Sequence, residues 1–245
     1  MIESMIFDLD GTLVQTEKLK ALSYARAVLE LCPDEIQEDE VISAFKEVVG
    51  LSRKEVATFL MDKFHLQDTS KRRMEKFGVN TPWQAFVQVR LSYYQDILND
   101  PQVIREHQWE HTIELLEIAR KNNCKIGLAT MSRCQQANRV LDILKQKDTF
   151  QFIATRDDVK RGKPDPEIYR LVASELKSSP HQCLVIEDSP SGVKAAVAAG
   201  MHCIAVTTPF TSQALQELEL LPAKWIVHDP SDLVGKTQEI LDEHR

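Results

Sequence analysis

The stretch whose reading decides the fold is Met5-Ile6-Phe7-Asp8-Leu9-Asp10-Gly11-Thr12-Leu13. Three consecutive apolar residues that run into charge and then glycine read as a buried strand ending in a tight loop. Asp8 and Asp10 stand two apart, so in extended chain their side chains share a face, and the loop can aim both at one point. Carboxylates that close repel, and both stay ionised only with a cation between them. Oxygen-only ligands at a strand end favour a hard cation, Mg2+ before Zn2+. A carboxylate can also attack phosphorus and form an aspartyl-phosphate. A solvated strand end closed by a glycine turn also fits these residues.

The rest of the chain sets bounds on that choice. Its 245 residues suffice for one large domain, or one domain with a smaller module, and for a core that needs no staples. A hydrophobic share of 43% with 27% charged residues is that of a globular protein. The net charge of -7, with no dense Lys/Arg stripe, argues against a nucleic-acid surface. The five cysteines are widely spaced with no C-x-x-C, which points to reduced, mostly buried thiols in a cytosol-like compartment. No basic leader and no run of about 18 apolar residues is visible. A cytoplasmic protein that engages no membrane is expected.

After Leu13 the periodicity becomes helical. Apolar spacing predicts helices over 16–31 and about 39–49, ended by Cys32-Pro33-Asp34 and by Gly50. Ser52 with Glu55 reads as a capping box opening a third helix through about Phe64. Lys71 to Lys76 is basic and reads as surface, and Thr81-Pro82 opens a fourth helix through Leu98, broken by Asn99-Asp100-Pro101. From Thr112 onward helices alternate with strands, the strands at 125–130, 152–154, 183–187, 202–206 and 225–227 and the last helix near 238–243. That alternation predicts an α/β fold, a doubly wound, Rossmann-like parallel sheet. Its first strand is residues 3–8 and the next begins past 124, so the all-helical segment is an insertion. The expected division is a catalytic core of 1–14 and 100–245 with a helical cap of 15–99, hinged near Val14-Gln15 and Asn99-Asp100-Pro101.

Ligands of such sheets sit outside the carboxyl ends of the strands. The polar residues found there are Asp8 and Asp10, Thr130 and Ser132, Lys163 after Arg161-Gly162, and Glu187 and Asp188. Carboxylates, hydroxyls and one ammonium from four strand ends or adjoining loops make a site able to hold Mg2+ and a phosphate together.

In order along the chain, Asp8-Leu9-Asp10-Gly11-Thr12, Thr130, Lys163-Pro164-Asp165-Pro166 and Glu187-Asp188-Ser189-Pro190-Ser191-Gly192 resemble the four motifs of the haloacid dehalogenase-like hydrolase superfamily. The match spans nearly the whole chain and is similar in particular to the branch of phosphatases and phosphomutases resembling beta-phosphoglucomutase. The resemblance implies that Asp8 is the nucleophile and Asp10 the general acid/base. It implies that Thr130 bonds the phosphoryl oxygens and Lys163 holds their charge. Asp188 with Glu187 then anchors Mg2+, completed by Asp8 and the backbone carbonyl of Asp10. It also implies a mobile cap that closes over the site and selects the substrate. Asp10 must carry a proton at the leaving-group step, so its pKa should be raised by its neighbours and by burial.

The chain also departs from that pattern. Gln15 and Lys20 stand where the mutases carry Asp and His, and that His helps discriminate sugar from water. Lys20 is a point charge able to meet a second anionic group, or a solvated helix residue. Gly50-Leu51-Ser52-Arg53 matches the cap loop where an Arg often grips a distal phosphate or hydroxyls, so Arg53 joins Lys20 and Ser132 as a candidate substrate contact. Glu110-His111 replaces the usual Pro-Gly.

These features favour a Mg2+-dependent phosphatase acting on a small phosphomonoester, a sugar or other metabolite phosphate, as a monomer with no nucleic-acid partner. A phosphomutase is the closest rival, and a non-catalytic phosphate-binding protein the alternative of another class. His107-Gln108-Trp109-Glu110-His111 fits the H-x-x-E-H zinc pattern if both His share a helix face, but no third ligand follows. Gly162-Lys163 lacks the Ser/Thr and upstream Gly of a P-loop.

Overall fold

The computed structural model describes residues 1–32, 36–49 and 51–244. Pro33, Asp34 and Gly50, read above as helix stops, lie outside them. The chain divides into two compact units, residues 1–15 with 104–245, and residues 16–103.

The first unit is a six-stranded sheet in the order β3-β2-β1-β4-β5-β6, every neighbouring pair parallel. Its strands are β1 (Ser4–Phe7), β2 (Lys125–Ala129), β3 (Phe152–Ala154), β4 (Cys183–Glu187), β5 (His202–Val206) and β6 (Ile226–Val227). Strand β1 is buried along its whole length, as a central parallel strand covered on both faces must be. Phe7 is level with Leu128 on one side and Ile186 on the other. Asp8, Ala129 and Glu187 therefore follow at one height. The strand order reverses beside β1, and in such sheets the crevice beyond the carboxyl ends is the binding place.

The second unit is all helical, with α1 (Thr16–Leu31), α2 (Glu38–Lys46), α3 (Arg53–Lys63), α4 (Gln67–Arg72), α5 (Met74–Phe77) and α6 (Pro82–Asn99). Both halves of the Ser52–Glu55 capping box form at the start of α3. The basic stretch Lys71 to Lys76 is largely exposed and runs across α4 and α5.

Helix α7 (Pro101–Glu106) follows the Asp100 break. The sheet is then covered by α8 (Glu110–Lys121), α9 (Cys134–Leu144), α10 (Glu167–Glu175), α11 (Pro190–Ala198), α12 (Ser212–Gln216) and α13 (Leu233–Glu243). The last helix begins five residues before the expected Gln238, because Leu233, Thr237, Ile240 and Leu241 already form its buried face. Trp225 sits in a short turn ahead of β6 rather than in the strand.

The H-x-x-E-H reading fails on backbone geometry. The Gln15 amide donates to the His107 carbonyl at 2.8 Å and the Trp109 amide to the Leu13 carbonyl at 2.9 Å. Residues 107–109 are thus tied to 13–15 as a short extended pair, and α8 starts only at Glu110. His107 and His111 do not share a helix face.

Candidate active site

Beyond Phe7 the chain must turn without losing its backbone partners. Gly11 takes φ 93°, which a side chain would resist, and its amide donates to the Val14 carbonyl at 2.7 Å. The turn leaves Asp8 at the end of β1, held by its amide to the Ile186 carbonyl, with Asp10 half-buried beside it.

Lys163, in the loop ahead of α10, sends its ammonium to the same point. Its Nζ stands 2.6 Å from Asp8 Oδ1, 2.6 Å from Glu187 Oε1 and 2.9 Å from the Ala129 carbonyl. It also lies 4.8 Å from the centre of the Tyr169 ring. The three charged side chains are 4%, 7% and 0% exposed for Lys163, Asp8 and Glu187, so their attraction is little screened by water.

Glu187 is held on every side. Its Oε1 accepts from Lys163 and from the Tyr169 hydroxyl at 2.8 Å. Its Oε2 accepts from the Asp188 and Ser189 amides at 2.9 and 3.0 Å and from the Ser189 hydroxyl at 3.0 Å. Ser189 also caps α11 by accepting from the Gly192 amide. A Cβ at residue 192 would overlap the Glu187 carboxylate, so glycine is what lets the helix start approach it.

Asp10 is bonded to different groups. Its Oδ2 accepts from Ser132 Oγ at 2.6 Å and from Thr130 Oγ1 at 3.1 Å, while the Ser132 amide donates to Thr130 Oγ1. Thr130 and Ser132, expected to meet phosphate and substrate, both place their hydroxyls on the Asp10 carboxylate.

The electrostatics follow from burial and count. Burial is the strongest influence on Asp8, and with Glu187 and Asp10 it lifts the carboxyl well above its ordinary range against the pull of Lys163. Burial alone would discharge Lys163, but Asp8 and Glu187 outweigh it and hold the ammonium above its ordinary value. Burial likewise works against the Glu187 charge, and Lys163 more than offsets it, so Glu187 titrates low.

Ligand oxygens of Asp8, Glu187 and Asp188 lie within 4.8 Å of one another, the one such grouping among the described residues. Three buried carboxylates, those of Asp8, Glu187 and Asp188, converge there beside the Lys163 ammonium. An oxygen donor set of that charge fits a divalent hard cation. The Asp10 side chain is not part of the grouping.

Arg53 and Lys20 belong to the helical unit. Arg53 is exposed at the first position of α3, and Lys20 is half-buried on α1. Tyr169 went unnoticed in the sequence reading. The signal available was an aromatic hydroxyl on the apolar face of α10, where a buried Tyr needs a partner.

A model of the haloacid dehalogenase-like hydrolase family matches residues 5–206. The chain is 31% identical to a phosphorylated carbohydrates phosphatase of Thermotoga maritima, over 83% of this chain and 84% of that one. It is 28% identical to the beta-phosphoglucomutase of Bacillus subtilis, covering 99% of this chain and 95% of the other. Among solved structures, a beta-phosphoglucomutase of Clostridium difficile superposes with a TM-score of 0.64 at 25% identity, over 100% of this chain and 99% of that one.

Proposed function

The chain belongs to the haloacid dehalogenase-like hydrolase family and is a phosphoric monoester hydrolase, and we propose that it removes phosphate from a small phosphorylated metabolite by way of an aspartyl-phosphate on Asp8. The observation that carries this reading is the buried Asp8 carboxylate, 2.6 Å from the Lys163 ammonium, with a second carboxylate two residues on.

In this reading an Asp8 oxygen attacks phosphorus in line, and the bond from phosphorus to the leaving oxygen breaks. Asp10 gives its proton to that oxygen. Asp10 then takes a proton from water, whose oxygen attacks the same phosphorus and breaks its bond to Asp8. Lys163 draws Asp8 toward its anionic form against burial and offsets charge on the phosphoryl oxygens. Thr130 turns from Asp10 toward those oxygens once they arrive, and Ser132 keeps Asp10 aligned.

Asp8, Glu187 and Asp188, with the Asp10 backbone carbonyl, would hold Mg2+. When bound, the ion supplies Lewis-acid screening of the phosphate. The helical insertion, residues 16–103, is proposed as the cap that selects the substrate, with Lys20 and Arg53 as contacts. Sugar and polyol phosphates are the class proposed, in line with the carbohydrate phosphatase relative.

The test is phosphate release from a panel of small phosphomonoesters with Mg2+, beside Asp8→Asn and EDTA controls. Release that needs both Asp8 and the metal is expected. A hexose 1-phosphate returned as an isomer without free phosphate would instead favour the mutase reading, and neither outcome across the panel would leave a binding protein.

A further inference from the structure

All three protons of the Lys163 ammonium are engaged. One goes to Asp8 Oδ1 and one to Glu187 Oε1, at 2.6 Å each, and the third to the Ala129 carbonyl at 2.9 Å. An ammonium has no fourth donor. A phosphoryl group arriving at Asp8 therefore meets a base with no free N–H, and one of the three bonds must break before Lys163 can reach its oxygens.

The surroundings of the three acceptors differ. The Ala129 carbonyl is backbone at the end of β2 and is fixed by the sheet. Asp8 loses its negative charge on bonding to phosphorus, and its attraction for the ammonium falls. Glu187 is held by Tyr169, whose hydroxyl donates to the same Oε1 at 2.8 Å. The Tyr169 ring centre also lies 4.8 Å from Lys163 Nζ, within cation–π reach. One side chain thus touches both members of the pair, with its hydroxyl on the acid and its ring against the base.

Tyr169 is itself immobile. It is fully buried, on the face of α10 that also carries Ile168, Val172 and Ala173. The loop that delivers Lys163 is fastened to the same helix. The two carboxylate oxygens of Glu167 accept from the Lys160 and Arg161 amides at 3.0 Å each, and the Asp165 amide donates to the Gly162 carbonyl. A buried tyrosine hydroxyl needs a partner, and any carbonyl would serve that need. Here the partner is the carboxylate that already holds Lys163, and bonds to an ionised acceptor are the strong ones.

We propose that Tyr169 is a positioning residue that pins the Lys163–Glu187 pair, so that the N–H which Lys163 turns toward the phosphoryl oxygens is the one it gives to Asp8. The proton stays on Lys163 throughout and only its acceptor changes. The pinning stands on the geometry of the pair, whereas the exchange of acceptors rests on the phosphatase reading.

The pinning is tested without metal or turnover. The Lys163 ammonium of the nitrogen-15-labelled full chain is followed by NMR, its signal assigned by loss in Lys163→Arg. Its protons should exchange with water about tenfold faster in Tyr169→Phe, which keeps the ring and removes one charge-assisted hydrogen bond. Val172→Ala, a truncation on the same buried face, controls for loosened packing. An exchange rate in Tyr169→Phe within about twofold of the unaltered protein, or matched by Val172→Ala, overturns the pinning whatever the protein hydrolyses.

The role in the reaction is read from kinetics with a phosphomonoester. Tyr169→Phe should lower kcat about tenfold with KM within about twofold, and Val172→Ala should change neither by that much. Faster ammonium exchange at unchanged kcat would overturn the role in the reaction. Faster exchange in a protein that hydrolyses nothing would overturn the phosphatase reading and leave the pinned pair standing.

Discussion

Ser132 Oγ donates to Asp10 Oδ2 at 2.6 Å, closer than the 3.1 Å contact from Thr130 Oγ1 to the same oxygen. The proposed general acid is therefore oriented by a hydroxyl three residues beyond the end of the neighbouring strand β2. A residue that aims the acid and one that touches substrate have different kinetic signatures. Ser132→Ala is expected to lower kcat about tenfold, the worth of one hydrogen bond to a charged group, with KM within about twofold. A raised KM at unchanged kcat in steady-state assays would return Ser132 to a substrate contact.

Lys163 is the ammonium that two buried carboxylates share. Removing one partner of a buried pair leaves charge without compensation, at a cost of about 3–5 kcal/mol. Lys163→Met should lower Tm by about 6–20 °C, on the scaling of about 2–4 °C per kcal/mol at this size. Thermal unfolding in EDTA measures it, and a Tm within about 2 °C of the unaltered protein would show that the ammonium does not neutralise the cluster.

The raised pKa of Asp8 carries a sign for stability. A carboxyl lifted in the folded state is favoured protonated, so folding stability drops as pH climbs from the unfolded value through the folded one. Without metal, burial and the neighbouring carboxylates disfavour charge on Asp8. Asp8→Asn should then raise Tm in EDTA by a few degrees, corresponding to about 1 kcal/mol. Added Mg2+ should raise the Tm of the unaltered protein more than that of the variant. Equal shifts in the two would remove Asp8 from the metal site.

At the opposite end of the sheet, His202 meets the His244 ring at a centroid distance of 4.3 Å. Its Nε2 lies 3.2 Å from the His181 carbonyl, and the charges of His181 and the amino terminus also act on it. Burial first, and His244 next, pull its pKa below the ordinary 6.5. The neutral form is the one the fold accommodates, so this contribution is complete above pH 6.5 and is lost as pH falls through the depressed value. Urea unfolding between pH 5 and 7 should show that loss, and His202→Gln should flatten it.

Much of the fold was legible because few alternatives fit the pattern. Met5-Ile6-Phe7 before Asp8 admits little but a covered strand, and β4 repeats the arrangement with Leu184, Val185 and Ile186 before Glu187. The break at Asn99-Asp100-Pro101 also reads directly, since α6 ends at Asn99 and α7 starts at Pro101. What sequence hid were relations fixed only by packing. That Thr130 and Ser132 turn to Asp10 depends on the height at which β2 meets β1. Tyr169 reads as an ordinary helix residue until the sheet closes over it. His107 misled because an i, i+4 spacing says nothing about whether the chain between is helical.

The central claim is that Asp8 takes the phosphoryl group, and the direct measurement is to catch it there. Turnover of a good substrate would be quenched in acid within milliseconds, the protein digested, and the peptide containing Asp8 weighed. The account predicts a mass gain of one phosphoryl group on that peptide, released by hydroxylamine, absent in Asp8→Asn and accumulating in Asp10→Asn when a substrate with a good leaving group is used. Phosphate release at full rate from Asp8→Asn, or a phosphoryl group found on any other residue, would contradict it.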